Sequence, residues 1–276
     1  MQVVLTGGTG YIGVALIKEL VGAGHQVTAL VRNEAGAAKV TALGAQATVG
    51  DLFDSAWVAE QFAAGDAVAH LAATGDATTQ ELDRGVVAAA VRAGKPYVHT
   101  SGIWIWGSND TITEESPFAP PQLTAWRSAV EKLVLQADLT ATIIAPGIVY
   151  GYGGGIPGGV FDGSGKLVGQ GTQHWTTVHV DDIAALYRTV LERGEGLGYL
   201  IGASGENPTV RELGEAAAGN AGVTPESVDA SRERLGALFA DALLLDQQTT
   251  GAKARSLGWA PKAVSLLDDL RSGTYA

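Results

Sequence analysis

The sequence predicts an α/β protein: a doubly wound parallel sheet followed by a smaller C-terminal lobe. Three observations predict it. Strand-like and helix-like segments alternate at a regular beat through the first half of the chain. A glycine-rich turn, Gly7 to Gly13, joins the first strand to the first helix. After Pro146 the beat breaks into a stretch from Gly151 to Gly165 that holds eight glycines and Pro157. Alternation at this spacing implies parallel strands with helices on both faces of the sheet, connected by right-handed crossovers.

Taken in order, Gln2 to Thr6 is a short apolar run, and Tyr11 to Ala23 places Ile12, Leu16 and Leu20 on one helical face before Gly22 and Gly24 close it. Gln26 to Arg32 is the next strand, then a helix from about Ala35 to Leu43, a strand from Ala45 to Val49, and a helix from Ser55 to Ala64 capped by Asp54 or Ser55. Ala67 to Leu71, a helix near Thr78 to Ala93, and Tyr97 to Ser101 continue the series. A helix from about Gln122 to Gln136 and a strand from Thr140 to Ala145 complete it. Gly151 to Gly165 reads as a long loop. His174 to Val180 alternates like a strand and leads into a helix from Asp181 to Arg193, then a strand at Tyr199 to Ile201 and a helix starting near Thr209. The expected organisation is a larger domain at 1–150, carrying the glycine-rich turn, and a smaller lobe at 151–276, interleaved with the first and inseparable from it in folding.

Composition narrows the function. Hydrophobic residues are 46% of the 276 and charged residues 17%, enough apolar material for a large core. The net charge of -11 repels nucleic acid and anionic membrane, and the 18 basic residues form no local patch. With no cysteine and five dispersed histidines, no metal site is expected. No basic segment precedes the apolar run at Val3 and no stretch is long enough to span a bilayer, so the expectation is a soluble cytoplasmic protein.

Gly7, Gly10 and Gly13 fit a G-x-x-G-x-x-G turn between a strand and a helix. The first glycine permits the tight turn, the second lets backbone approach a pyrophosphate, and the third allows close helix–strand packing. Helix N-terminal amides then meet the phosphate charge. The second strand ends Val31-Arg32-Asn33, with no acid to hold a ribose 2′-hydroxyl and Arg32 placed to pair a 2′-phosphate. NADP(H) is the expected cofactor.

These residues resemble the extended short-chain dehydrogenase/reductase family, whose fold is of the Rossmann type, and the resemblance covers nearly the whole chain. Thr6-Gly7-Gly8-Thr9-Gly10-Tyr11-Ile12-Gly13 is similar to its fingerprint, and Gly50-Asp51-Leu52 to the step that contacts adenine. His70-Leu71-Ala72-Ala73 resembles the segment beneath the cofactor, and Ala145-Pro146-Gly147 through Gly151 the turn that approaches the nicotinamide. Val178-His179-Val180-Asp181-Asp182 and Leu257-Gly258-Trp259-Ala260-Pro261 resemble later signatures of the C-terminal lobe. The resemblance implies cofactor contacts at Gly7, Thr9, Gly10, Tyr11, Ile12, Gly13, Arg32, Asp51, Leu52, Leu71, Ala72, Ala73 and Pro146, and a substrate-binding role for the lobe.

The family's catalytic Tyr-x-x-x-Lys pair has no counterpart. Counting back from Glu131 gives Leu123 and Arg127, the other register gives Ser128 and Lys132, and no tyrosine lies between Tyr97 and Tyr150. Matching Trp106-Gly107 to the family's Tyr-Gly puts Gly102 at the usual Ser/Thr position, with Ser101 one residue earlier. Ser101 either bonds substrate or is satisfied by backbone. Arg127 either holds ribose or substrate, or pairs with Glu131 at i,i+4; it is too basic to act as a general base. Tyr150 and His174 are the remaining proton-transfer candidates. Trp104, Trp106, Trp126 and Trp175 offer flat apolar walls, and at least two of them are expected to face an apolar or aromatic substrate.

The leading expectation is an NADP-dependent reductase of a small carbonyl or imine that works without the usual tyrosine. A non-catalytic NADP-binding sensor and an epimerase or dehydratase acting by transient oxidation stay open. Homodimerisation is allowed by the apolar face of Thr78 to Ala93.

Overall fold

The computed structural model describes residues 1–275. Nine strands are formed among them: β1 Gln2–Thr6, β2 Gln26–Val31, β3 Gln46–Val49, β4 Ala67–His70, β5 Tyr97–Thr100, β6 Ala141–Pro146, β7 Ile148–Gly151, β8 Thr177–His179 and β9 Gly198–Gly202. The helices are α1 Tyr11–Gly22, α2 Glu34–Thr41, α3 Ser55–Ala63, α4 Thr79–Ala93, α5 Arg127–Gln136, α6 Gly155–Val160 and α7 Val180–Arg193. They continue as α8 Val210–Ala218, α9 Val228–Leu235, α10 Ala237–Leu243, α11 Ala252–Ser256 and α12 Leu266–Ser272.

The large sheet has the order β3-β2-β1-β4-β5-β6-β9. Pairings from β3 through β6 are parallel, with Val3 of β1 opposite Val27 of β2 on one side and Ala67 of β4 on the other. This is the doubly wound architecture the alternation predicts. Strand order reverses at β1, so a crevice opens at the carboxyl ends of β1 and β4, the usual ligand position in such sheets. β1 is buried on both faces, which is why it reads as a continuous apolar run. Side-chain caps set several helix starts: Asn33 accepts from the Gly36 amide at 2.9 Å, and Asp54 accepts from Ala56 and Trp57 at 3.0 Å.

The chain divides into two compact units. Unit 1 comprises 1–101, 127–144 and 184–200; unit 2 comprises 102–126, 145–183 and 201–276. The units interleave along the sequence, and the division falls within β6, α7 and β9, whose residues are shared between units. Unit 2 has its own two-stranded parallel sheet, β7 with β8, and a core that includes Ile148, Val168, Trp175 and Leu213.

Two local expectations change. The helix expected from Gln122 begins at Arg127, because Pro121 opens a turn in which its carbonyl accepts from Thr124 at 3.0 Å. The long loop at Gly151 to Gly165 contains a tight hairpin, with Tyr150 bridged to Gly155, and then α6, whose Pro157 sits in the first turn where a missing N–H is harmless. Among the described residues no helix is long and apolar enough to cross a membrane.

Candidate functional site

In unit 1 the β1–α1 turn is held by the Gly10 amide, which donates to the Gly7 carbonyl at 2.9 Å. Gly7 has φ +76°, and a Cβ there would lie 2.5 Å from the Ala72 nitrogen and the Leu71 carbonyl carbon. A Cβ on Gly13 would lie 2.1 Å from the Gly7 carbonyl oxygen. Both glycines are thus required by close backbone approach. The N-cap of α1, Gly10, brings no side chain to the first-turn amides, which helix geometry leaves without intrahelical acceptors.

A cavity of ≈ 350 Å³ lies against this turn. Gly7, Thr9, Gly10, Arg32, Asp51, Leu52, Leu71, Ala72 and Ala73 line it, so most of the sequence-derived cofactor residues meet in one place. Tyr11, Ile12 and Gly13 begin α1 and stand outside its wall, and Pro146 belongs to unit 2. Leu30, Val31, Phe53, Thr74 and Leu82 complete the wall and were not singled out from the sequence. Phe53, exposed beside a Gly-Asp-Leu step, was the one findable signal. Asp51 accepts from the Phe53 amide at 2.9 Å, and Lys39 donates to the Thr9 carbonyl at 2.6 Å. Gly50 leaves room for the Trp57 ring, which a Cβ would meet at 2.3 Å. A cradle without side chains, a guanidinium and a carboxylate around an apolar slot fit a dinucleotide.

At the end of β5, Ser101 is 5% exposed and its amide donates to the Ile144 carbonyl at 2.7 Å. Its hydroxyl is sealed from solvent beside the Glu131 carboxyl without a hydrogen bond of good geometry, so a direct substrate contact from Ser101 is corrected to a buried position. Glu131 is fully buried and accepts from the Tyr199 hydroxyl at 2.7 Å. Burial pushes its carboxyl up; the Ser101 and Tyr199 hydroxyls and the Arg127 charge oppose that more weakly. Arg127 Nη1 donates to the Thr100 carbonyl at 3.1 Å, bracing the strand end.

In unit 2, Tyr150 is 1% exposed and its hydroxyl donates to the Val264 carbonyl at 2.7 Å. Burial, with Glu206, Asp182 and Asp269 nearby, pushes the phenol up, so Tyr150 packs the lobe and is withdrawn as a proton carrier. His174 differs. Its Nδ1 lies 2.9 Å from Asp246 Oδ1, its backbone amide donates to the same oxygen at 2.8 Å, and the side chain is 31% exposed. Two bonds to one carboxylate oxygen orient the imidazole, a geometry compatible with general acid–base chemistry. The tryptophans separate into two pairs. Trp175 is 2% exposed and donates to the Leu243 carbonyl at 3.0 Å, and Trp106 is 1% exposed with its ring edge-on to Phe118. These two are core residues, correcting a ligand-wall role. Trp104, edge-on to Phe239, and Trp126 are half-buried and keep open surface.

A family described as NAD(P)H-binding matches residues 7–193. The Saccharomyces cerevisiae protein YLL056C is 29% identical, covering 99% of this chain and 98% of its own. A Stigmatella aurantiaca 4-hydroxy-2-methyl-3-oxo-4-farnesyl-3,4-dihydroquinoline-1-oxide ketoreductase is 34% identical over 55% of this chain and 51% of that protein. Human epimerase family protein SDR39U1, solved with NADPH, has a TM-score of 0.75 at 22% identity and covers 99% of this chain and 98% of that one. A Thermus thermophilus UDP-glucose 4-epimerase of the same fold (TM-score 0.77) holds NAD. The chain belongs to the NAD(P)H-binding family, with the fold of the extended short-chain dehydrogenases/reductases and epimerases.

Proposed function

We propose that this protein is an NADP-dependent oxidoreductase that reduces a small carbonyl or imine without the family's usual tyrosine. The observation that carries the reading is the wall of the unit 1 cavity. A guanidinium, Arg32, stands where an acid would select NAD, beside a glycine turn with no room for a Cβ. NADPH in human SDR39U1 supports the same choice, and the ketoreductase likeness supports a carbonyl substrate.

When bound, the reduced nicotinamide supplies a hydride. The chain's own residues do the rest. Backbone amides at Gly10 to Gly13 meet the pyrophosphate, Arg32 pairs the 2′-phosphate, and Asp51 with Leu52 takes the adenine end. Arg127 braces the end of β5. An imine arriving protonated needs no proton carrier; for a carbonyl, His174, oriented by Asp246, is the residue to test in that role. Trp104 and Trp126 supply apolar surface for the substrate.

The test follows nicotinamide absorbance after mixing the protein and NADPH with small aldehydes, ketones and cyclic imines. Oxidation of NADPH by at least one of these is expected. His174→Gln should lower kcat for a ketone by about 10²-fold or more while leaving NADPH affinity unchanged. Two observations favour a second reading, a non-catalytic dinucleotide binder: the Ser101 hydroxyl is sealed and no tyrosine lies between Tyr97 and Tyr150. Tight NADPH binding with no oxidation across the panel selects that reading.

A further inference from the structure

The cavity wall at Leu71–Ala73 rests on a chain of buried polar groups to which the reading above gives no task. Within unit 1, His70 Nε2 lies 3.0 Å from Asp83 Oδ1 on α4, and His70 Nδ1 lies 2.6 Å from Thr6 Oγ1 at the end of β1. The Ala72 amide donates to that same threonine oxygen at 3.4 Å. Thr6, His70 and Asp83 are all buried. The other Asp83 oxygen lies 3.9 Å from His99 Nε2, and the Tyr97 hydroxyl lies 2.9 Å from His99 Nδ1. Burial, above all, holds His99 down at about 3 against the Asp83 attraction, so its ring is neutral.

A consistent arrangement of protons gives each close pair a donor and an acceptor. His70 donates from Nε2 to Asp83, and His99 turns its own Nε2 proton toward the second carboxylate oxygen. Tyr97 donates to His99 Nδ1, and the Thr6 hydroxyl donates to His70 Nδ1. The lone pairs of the Thr6 oxygen are then turned toward the Ala72 N–H. A separate observation shows why the position of Ala72 matters: its nitrogen stands so close to Gly7 that a Cβ there would lie 2.5 Å away. The glycine turn and the opposite cavity wall touch with no slack. The Thr100 hydroxyl, donating to the His70 carbonyl at 2.7 Å, fixes the same residue from β5.

We propose that His70 is a positioning residue for the dinucleotide cavity. Anchored by Asp83, it presents Nδ1 as an acceptor, fixes the direction of the Thr6 hydroxyl, and thereby holds the Ala72 wall against Gly7. The inference rests on reading this cavity as a dinucleotide site.

Two substitutions separate the ring nitrogens in the full-length chain. His70→Asn keeps a polar atom near the Nδ1 position facing Thr6; His70→Gln keeps one near the Nε2 position facing Asp83. Amide hydrogen exchange over residues 71–73 is measured without dinucleotide, and NADPH affinity by nicotinamide fluorescence. His70→Gln should speed exchange at Ala72 and weaken NADPH binding by about two- to tenfold, the loss of one buried hydrogen bond. His70→Asn should hold affinity within about twofold although its melting temperature also falls. Thr6→Val should behave as His70→Gln and Thr6→Ser should restore the native values, a pair that decides the matter if the histidine variants do not fold. Equal losses in both histidine variants, tracking their melting temperatures with Ala72 exchange unchanged, overturn the proposal. Faster Ala72 exchange in His70→Gln, in a protein whose native form ignores NADPH, sinks the dinucleotide reading and leaves the relay standing.

Discussion

Two glycine-rich segments of this protein use the same close packing in different surroundings. In the β1–α1 turn of unit 1, Gly7 and Gly13 bring backbone against backbone and leave a cavity of ≈ 350 Å³ beside them. In the β7–α6 hairpin of unit 2, Gly151 makes way for the His179 ring, which a Cβ would meet at 2.4 Å, and Gly158 for the Gly153 carbonyl at 2.1 Å. Both sets make way for the chain's own atoms, but the first does so beside a cavity. The second closes on the chain itself: Tyr150 and Tyr152 pack edge-on against His179, and the Tyr275 hydroxyl donates to the Gly154 carbonyl. Glycine content alone does not mark a ligand site; what fills the space does.

The sharpest way to break this contrast is a methyl group in each segment. Gly13→Ala puts a Cβ 2.1 Å from the Gly7 oxygen and should weaken NADPH binding by about a hundredfold or more, read by fluorescence titration. Arg32→Ala comes next. Loss of a charge-assisted pair should cost about ten- to a hundredfold in NADPH affinity with NADH affinity unchanged, and equal losses for both dinucleotides would remove Arg32 from the 2′-phosphate.

The third effect is on pH dependence. The His99 pKa is lowered from 6.5 to about 3, so the folded state binds that proton less tightly than the unfolded chain. Its contribution to stability is therefore complete above pH 6.5 and is lost progressively as pH falls toward 3. His99→Gln should flatten the fall in melting temperature across that window; parallel curves would contradict the assignment. The smallest effect on the cofactor belongs to Gly158→Ala. It should lower the melting temperature by several degrees and leave NADPH affinity within about twofold. A loss of affinity matching Gly13→Ala would erase the distinction between the two segments.

Legibility in the sequence follows the range of the interactions. The strand–turn–helix at Gly7 to Gly13 is a local backbone requirement, so its spacing alone points to a phosphate cradle. Arg32 lines the same cavity, a position legible from its place at a strand end. Thr74 and Leu82 reach the same cavity from another element, and nothing in their immediate neighbours says so. The chemistry of unit 2 was harder still. His174 is oriented by Asp246, 72 residues away, and Trp175 loses its expected role to the Leu243 carbonyl, 68 residues away. Tyr150 looked available until Val264 took its hydroxyl across 114 residues. Periodicity gave the boundaries of α1 to α4 and α7, but α5 starts five residues later than expected because the turn after Pro121 outweighs the helical pattern.

The most direct test of the account is titration of the purified protein with NADPH and with NADH, followed by fluorescence of the bound nicotinamide. NADPH binding at least about tenfold tighter than NADH, with a shifted nicotinamide signal, is the predicted result. Preference for NADH, or no binding of either, would contradict it.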